Sequence, residues 1–138
     1  MNRKPKTAYI VDSINYIRQE PNQRQLFSKL LEVGNIFPIE LGHILSRNEK
    51  IGDFDNILIC LKLRSLGKHI EKLSKYLDNN KVVIYEQDPW ENYRDESPYN
   101  GIYQKAIKKL NVDFIANTTK WWADFGKKQG LPCKFVRM

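Results

Sequence analysis

The segment DSINYIRQ, which follows the first apolar run of this chain, contains no glycine, and the whole sequence of 138 residues has only seven. A dinucleotide-binding turn needs G-x-G-x-x-G at that place, so that backbone amides can approach a pyrophosphate. That class is therefore excluded. No G-x-x-x-x-G-K-[ST] phosphate loop and no G-x-S-x-G nucleophile elbow occurs anywhere. Cysteine is as scarce. Cys60 lies within ILICL and Cys133 opens the last apolar run, a spacing that fits neither a disulfide framework nor a zinc site, so both read as core thiols. The two histidines, His43 and His69, have no carboxylate or cysteine at ligand spacing and read as surface or half-buried side chains. No metal and no cofactor is expected. No apolar run approaches the roughly 20 residues of a membrane span. The start, MNRKPKTAYIVDS, lacks the apolar core and cleavage site of a secretion signal, which makes a cytoplasmic protein the expectation. Internal repeats, low-complexity tracts and linkers are also missing, so residues 1–138 read as one domain.

What is present is an alternation of short apolar runs with helical patterns. Residues 8–12 (AYIVD), 36–41 (IFPIEL), 56–61 (NILICL), 82–86 (VVIYE), 113–116 (DFIA) and 134–138 (KFVRM) read as strands. Between them lie a helix at 23–33 with an apolar stripe of Leu26, Phe27, Leu30, Leu31 and Val33, a mixed stretch at 42–54, and helices at 67–77, from Ser97-Pro98 to Asn111, and from Thr119 to Gly130. Strands separated by helices of this length signal βαβ units, hence an α/β, three-layer, Rossmann-like domain with a mainly parallel sheet of about six strands. Pro38 removes a ladder donor and marks the second strand as an edge or bulged strand. Ending on a strand fits either a longer protein that has been cut or a last strand that closes the sheet.

Ligands of such sheets bind outside the carboxyl ends of the strands. With a strand order of 3-2-1-4-5, the switch point falls between strands one and four and sets Asp12 and Ser13 beside Glu86, Gln87 and Asp88. Carboxylates gathered there could act as a general base or bind sugar hydroxyls, with Asp12 and Asp88 as the catalytic candidates. They could equally cap helices and close turns, as Asp does in any protein. The loop QDPWENYRDESPYN is unusually long, and loops of that length are functional or disordered. Its Trp90, Tyr93 and Tyr99 could stack on a sugar or acyl chain, or Trp90 could fold inward as an anchor. By helical spacing with Phe125, Trp121 or Trp122 is expected in the core. A receiver domain is excluded, since its clustered acids, its strand-three aspartate and its strand-five lysine are replaced by Asp12 alone, by Leu61-Lys62 and by Asn117-Thr118.

The net charge is +7. Lys68, Lys72 and Lys75 share one helix face opposite Leu66, Ile70, Leu73 and Leu77. Lys105, Lys108 and Lys109 repeat the arrangement against Ile102, Ala106, Ile107 and Leu110. Solvated helix faces and attraction to anionic phosphates, of a membrane surface or a nucleotide-linked substrate, both fit this pattern.

The stretch from VVIYEQDPWENY through VDFIANTTKWWADFGKKQGLPCKFVRM resembles the second half of the N-terminal domain of bacterial GT-B-fold glycosyltransferases. There a strand ends in an acidic, aromatic loop, and a "vd-x-ia-n-t" strand, an aromatic helix and a "g-l-p" turn follow. The resemblance implies that residues 12–18 and 88–94 face an interdomain cleft and bind a sugar or lipid-linked acceptor. Within those ranges that means Ser13, Asn15, Trp90, Tyr93 and Arg94, and the strand-end residues Glu86, Asn117 and Thr118 join them as substrate-binding candidates. It implies further that a nucleotide-sugar donor is held by a C-terminal domain absent here, so that this half alone transfers no sugar. A place on the inner membrane face, through the two lysine faces, is the companion expectation, and no nucleic acid is expected. The alternative is a free-standing α/β binding module that recognises an anionic partner through its lysine-rich helices.

Overall fold

Six short strands pair side by side, all parallel, in the order β2-β1-β3-β4-β5-β6. They are β1 (Lys6–Val11), β2 (Asn35–Glu40), β3 (Asn56–Cys60), β4 (Lys81–Tyr85), β5 (Val112–Asn117) and β6 (Cys133–Phe135). The computed structural model describes residues 5–87 and 89–137. Helices α1 (Ile14–Gln19) and α2 (Pro21–Val33) follow β1, and α3 (Leu41–Leu45) follows β2. Helix α4 (Leu63–Tyr76) follows β3, α5 (Trp90–Tyr93) and α6 (Ile102–Leu110) follow β4, and α7 (Lys120–Lys128) follows β5. The protein is thus α/β with an open, all-parallel sheet in a Rossmann-like three-layer arrangement, as the alternation of its segments requires.

The strand order differs from the expected 3-2-1-4-5. β1 lies between β2 and β3, and the switch point falls there and not between β1 and β4. The reason is in the strands themselves. β2 carries Pro38 and keeps only partial burial, with Asn35 and Phe37 exposed, so it must take an edge where one side needs no ladder donor. β3 (NILIC) has Ile57, Ile59 and Cys60 buried and belongs inside the sheet. An order that put β3 outside β2 would have reversed both.

The core has two parts. On one face Ala8, Ile10, Ile57, Ile59, Val82, Ile84 and Ile115 meet Leu66, Ile70 and Leu73 of α4 and Tyr103 and Ala106 of α6. On the other, Tyr9 and Val11 meet Ile17 of α1 and Leu26 of α2, and the Tyr9 ring stacks on Phe27 at 5.6 Å. Leu31 is exposed rather than part of the α2 stripe. Several boundaries also move. The segment after β1 is helical from Ile14, because Ile17 finds a buried seat, and α4 begins at Leu63, because Leu63 and Leu66 prolong its apolar stripe. α6 begins at Ile102 and not at Ser97-Pro98, since residues 97–101 form turns and Gly101 sits at φ +78°. The last strand ends at Phe135, and Met138 lies outside the described residues.

Candidate functional site

The carboxyl edge of the sheet divides into two parts. At the β1–β3 part, the Asp12 carboxylate accepts the Lys62 amide at 3.0 Å, which ties the end of β1 to the start of α4. Ser13 Oγ accepts the Asn15 amide at 3.2 Å, and Glu40 Oε1 accepts the Ile14 amide at 2.8 Å. These bonds close the turn after β1, and Asn15 points to solvent.

The β4–β5 part is different. Glu86 continues β4, its amide donating to Ala116 O at 3.1 Å, yet its side chain is only 6% exposed. Its carboxylate charge is felt by Tyr85, Tyr93 and Cys133, so the four groups share one neighbourhood. Burial first, and then the charges of Cys133 and Glu86, push the Tyr93 phenol well above its ordinary value. Burial and the Glu86 charge push the Cys133 thiol up to about 11. The Tyr85 phenol is also raised, by burial first, while its hydrogen bond to Thr118 works the other way. Asn117 ends β5 almost fully buried, and its Oδ1 has no hydrogen-bond partner among the described residues. An orphaned buried carbonyl is costly, which makes it a receiver for a donor from outside. Gln87 donates to Cys60 O at 2.7 Å and fixes the edge between β4 and β3.

Tyr93, which feels the Glu86 charge, belongs to a cluster of rings. Tyr93 stacks on Trp122 at 5.9 Å and meets Phe125 edge-on at 4.9 Å, Trp121 stacks on Phe125 at 5.3 Å, and Trp90 meets Trp122 at 6.2 Å. Trp90 and Trp121 remain 52% and 58% exposed, so half of each indole is open to a ligand. Neither Trp121 nor Trp122 enters the core. The buried positions of α7 are Ala123 and Gly126, small enough for the helix to lie close on Cys133, and the large rings are left at its margin.

The long loop is ordered by a residue that the sequence reading passed over. Asn92 is 1% exposed. Its Oδ1 accepts the Tyr103 amide at 2.7 Å, its Nδ2 donates to Gln104 Oε1 at 3.1 Å, and its backbone carbonyl accepts the Gly101 amide at 2.9 Å. Gly101 occupies the N-cap of α6 and has no side chain to cap with, so Asn92 caps that helix from a distance. Arg94 is engaged by Glu91 at 2.8 Å and Glu96 at 3.5 Å, and Ser97 Oγ donates to Glu91 at 2.5 Å.

Of the expected site residues, Glu86, Trp90, Tyr93, Asn117 and Thr118 come together at the ends of β4 and β5. Asp12, Ser13 and Asn15 lie apart, across β3, and Arg94 is held within its loop. Asp88 lies outside the described residues. The aromatic helix TKWWADF gave a signal for Trp122 and Phe125, and the end of the fourth strand one for Gln87; Asn92 gave none. The lysine faces also separate. Lys68 and Lys105 meet across one cleft, Lys109 pairs with Glu71 at 3.4 Å, Lys72 bonds Asn48 at 3.3 Å, and Lys75 and Lys108 are exposed. Among the described residues no group of acidic, histidine or cysteine side chains could hold a metal ion, and no helix is long and apolar enough to cross a membrane. No protein family, curated protein or solved structure matches this chain.

Proposed function

We propose that this domain is the acceptor-binding half of a glycosyltransferase and holds a sugar acceptor at the carboxyl ends of β4 and β5. One observation carries the reading: half-open indoles belong to a ring cluster whose Tyr93 feels the buried Glu86 carboxylate, and the neighbouring strand β5 ends in a buried amide oxygen with no partner among the described residues. A sugar has an apolar C–H face that stacks on aromatic rings and a rim of hydroxyl donors. Trp90 and Trp121 suit the face. Glu86 and Asn117 Oδ1, both acceptors, suit the rim, and a hydroxyl reaching Asn117 would relieve its orphaned oxygen. Support comes from this chemistry and not from the strand order, since Rossmann-like sheets serve many functions. Transfer would need a nucleotide sugar delivered by a second domain, because catalysis here depends on positioning donor and acceptor together. A lipid-linked acceptor would bring the domain to the inner membrane face.

The test is titration of the folded chain with a panel of mono- and oligosaccharides, read by tryptophan fluorescence and amide NMR shifts. Saturable changes at Trp90, Trp121 and Asn117, weakened about tenfold by Trp90→Ala, the scale of one lost stacking contact, are expected. The same protein should transfer no sugar from a nucleotide donor. Turnover by the isolated chain would overturn the half-enzyme reading, and a silent panel would overturn the acceptor site.

A further inference from the structure

Helices α4 and α6 pack against each other on one face of the sheet, and their first turns part to leave a cavity of about 450 Å³. Two local features accompany it. Ile102, the first residue of α6, lies against Gly67, where a Cβ would collide with its Cδ1. Two residues further on, α4 kinks at His69, whose φ and ψ of −121° and 18° leave the helical region. The volume falls in the range of small-molecule sites. Its walls carry Arg64 and Lys68 from α4 and Lys105 from α6, and among the described residues no carboxylate lines it. Among the described residues, Arg64, Lys68 and Lys105 take part in none of the ion pairs, which engage Arg47, Lys50, Arg94, Lys109 and Lys120 among others.

We propose that this cleft binds the phosphate or diphosphate group of a small molecule. Three cations on the walls of one cleft, one of them a guanidinium fork, match a group of more than one negative charge with several acceptor oxygens. A single carboxylate would leave most of that charge unanswered. The terminus of α6 contributes little, because the amides of Gly101, Ile102 and Tyr103 already donate to Asn92 O, Tyr99 O and Asn92 Oδ1. Recognition therefore lies in the side chains, which makes it open to mutation without unfolding the helix. The proposal stands apart from the sugar-binding reading, whose residues lie on α5, α7 and the ends of β4 and β5. It also departs from a diffuse lysine surface, since Arg64, Lys68 and Lys105 are singled out and Lys72, Lys75 and Lys108 are not.

The experiment titrates the full chain at low salt with pyrophosphate, following backbone amides by NMR, and in parallel with vesicles of neutral lipid with and without phosphatidic acid. Saturating shifts centred on Arg64, Lys68, Gly101 and Lys105 are expected. Lys68→Glu with Lys105→Glu should weaken binding by at least about tenfold, the scale of one charge-assisted hydrogen bond. Lys128→Glu, on α7, changes net charge equally for each substitution and should leave binding within about twofold, as an exposed charge away from the site does. A melting curve on each variant confirms that it is folded. Pyrophosphate binding without vesicle binding assigns the site to a soluble phosphorylated ligand. Vesicle binding that needs phosphatidic acid and is lost in the double variant assigns it to a lipid headgroup. Shifts spread over all lysines, equal loss with Lys128→Glu, or no saturation with either probe would overturn the proposal.

Discussion

Asn92 shows how a single side chain can hold a long loop in place. Among its described residues the stretch 87–101 has one short helix, yet it is pinned at its centre by buried Asn92, whose side-chain amide serves Tyr103 and Gln104 and whose backbone carbonyl accepts from Asn100 and Gly101. Asn92→Ala leaves the Tyr103 amide and the Gln104 side chain without these bonds, and a buried donor stranded in this way costs about 1–3 kcal/mol. Urea unfolding should show a loss in that range, and amide exchange should rise first at the start of α6. A loss within error would mean that Asn92 is a bystander. Two glycines make a matched pair at the same scale. Gly126 and Gly67 both lie in helices, where Ala has the better propensity by about 1 kcal/mol. At Gly126 an added Cβ would meet Cys133 Sγ and come within 3.1 Å of the Tyr93 hydroxyl, two groups fixed by burial. At Gly67 it would meet the end of Ile102, a flexible side chain that is only half-buried. Gly126→Ala should therefore lower stability by about 1–3 kcal/mol, the usual range for overpacking, and Gly67→Ala by clearly less. Thermal melts of the two variants check the order, and a reversed order would show that α7 can move off β6.

Elements were readable from this sequence to the extent that one residue pattern decided them. The alternation of apolar runs and helices fixed the class of fold, and Pro38 pointed to an edge strand. Followed one step further, Pro38 also gives the order: if β2 is an edge, β3 must lie on the far side of β1, and the switch point moves with it. Helix ends were less readable, because they depend on distant partners. α6 starts where Asn92 reaches it, and no local pattern around Ser97-Pro98 carries that information. The aromatic helix misled for a related reason. Trp121, Trp122 and Phe125 have the spacing of a core stripe, but Ala123 and Gly126 take the inner face because α7 lies close on β6. At the candidate site, the carboxyl edge itself followed from the strand pattern; which of its acids close turns and which stand buried with Asn117 depended on the strand order. The exposed rings give a prediction of their own. Trp90 touches one neighbouring ring and is half open, while Trp122 touches Trp90, Tyr93, Trp121 and Phe125. Trp90→Ala should cost at most about 1 kcal/mol of stability, whereas Trp122→Ala should cost more, toward the 3–5 kcal/mol seen when buried aromatics are truncated. Chemical denaturation distinguishes the two, and equal losses would show that Trp90 anchors the loop instead of facing a ligand.

The molecule as a whole carries its protonatable core groups at the alkaline end. Cys60 and Cys133 are buried, and burial raises both thiols; Tyr9, Tyr85 and Tyr93 lie beside them, and burial raises all three phenols. The direction of the consequence follows from proton binding. Unfolding releases these groups to water, where a thiol loses its proton near 9.0 and a phenol near 10.0, while the folded chain holds on to them. Over that interval the folded state binds more protons than the unfolded state, so stability falls as pH rises. For Cys133 the contribution is complete below about 9 and is lost as pH climbs toward about 11. The carboxyl edge sits on top of this network, because Glu86 is felt by Tyr85, Tyr93 and Cys133 together. Neutralising Glu86 removes a charge that helps hold those protons on, so Glu86→Gln should move the alkaline transition to lower pH at the Tyr93–Cys133 pair. The measurement is the urea midpoint from pH 7 to 11, with thiol labelling of the native chain at each pH. The midpoint should hold steady to about pH 9 and decline beyond it, and labelling of Cys133 should begin only in the declining range, earlier in Glu86→Gln than in the parent. A midpoint flat to pH 11, or full labelling at pH 8, would mean that water reaches the floor of the site and that Glu86 and Asn117 are not the dry acceptors the sugar-binding reading requires.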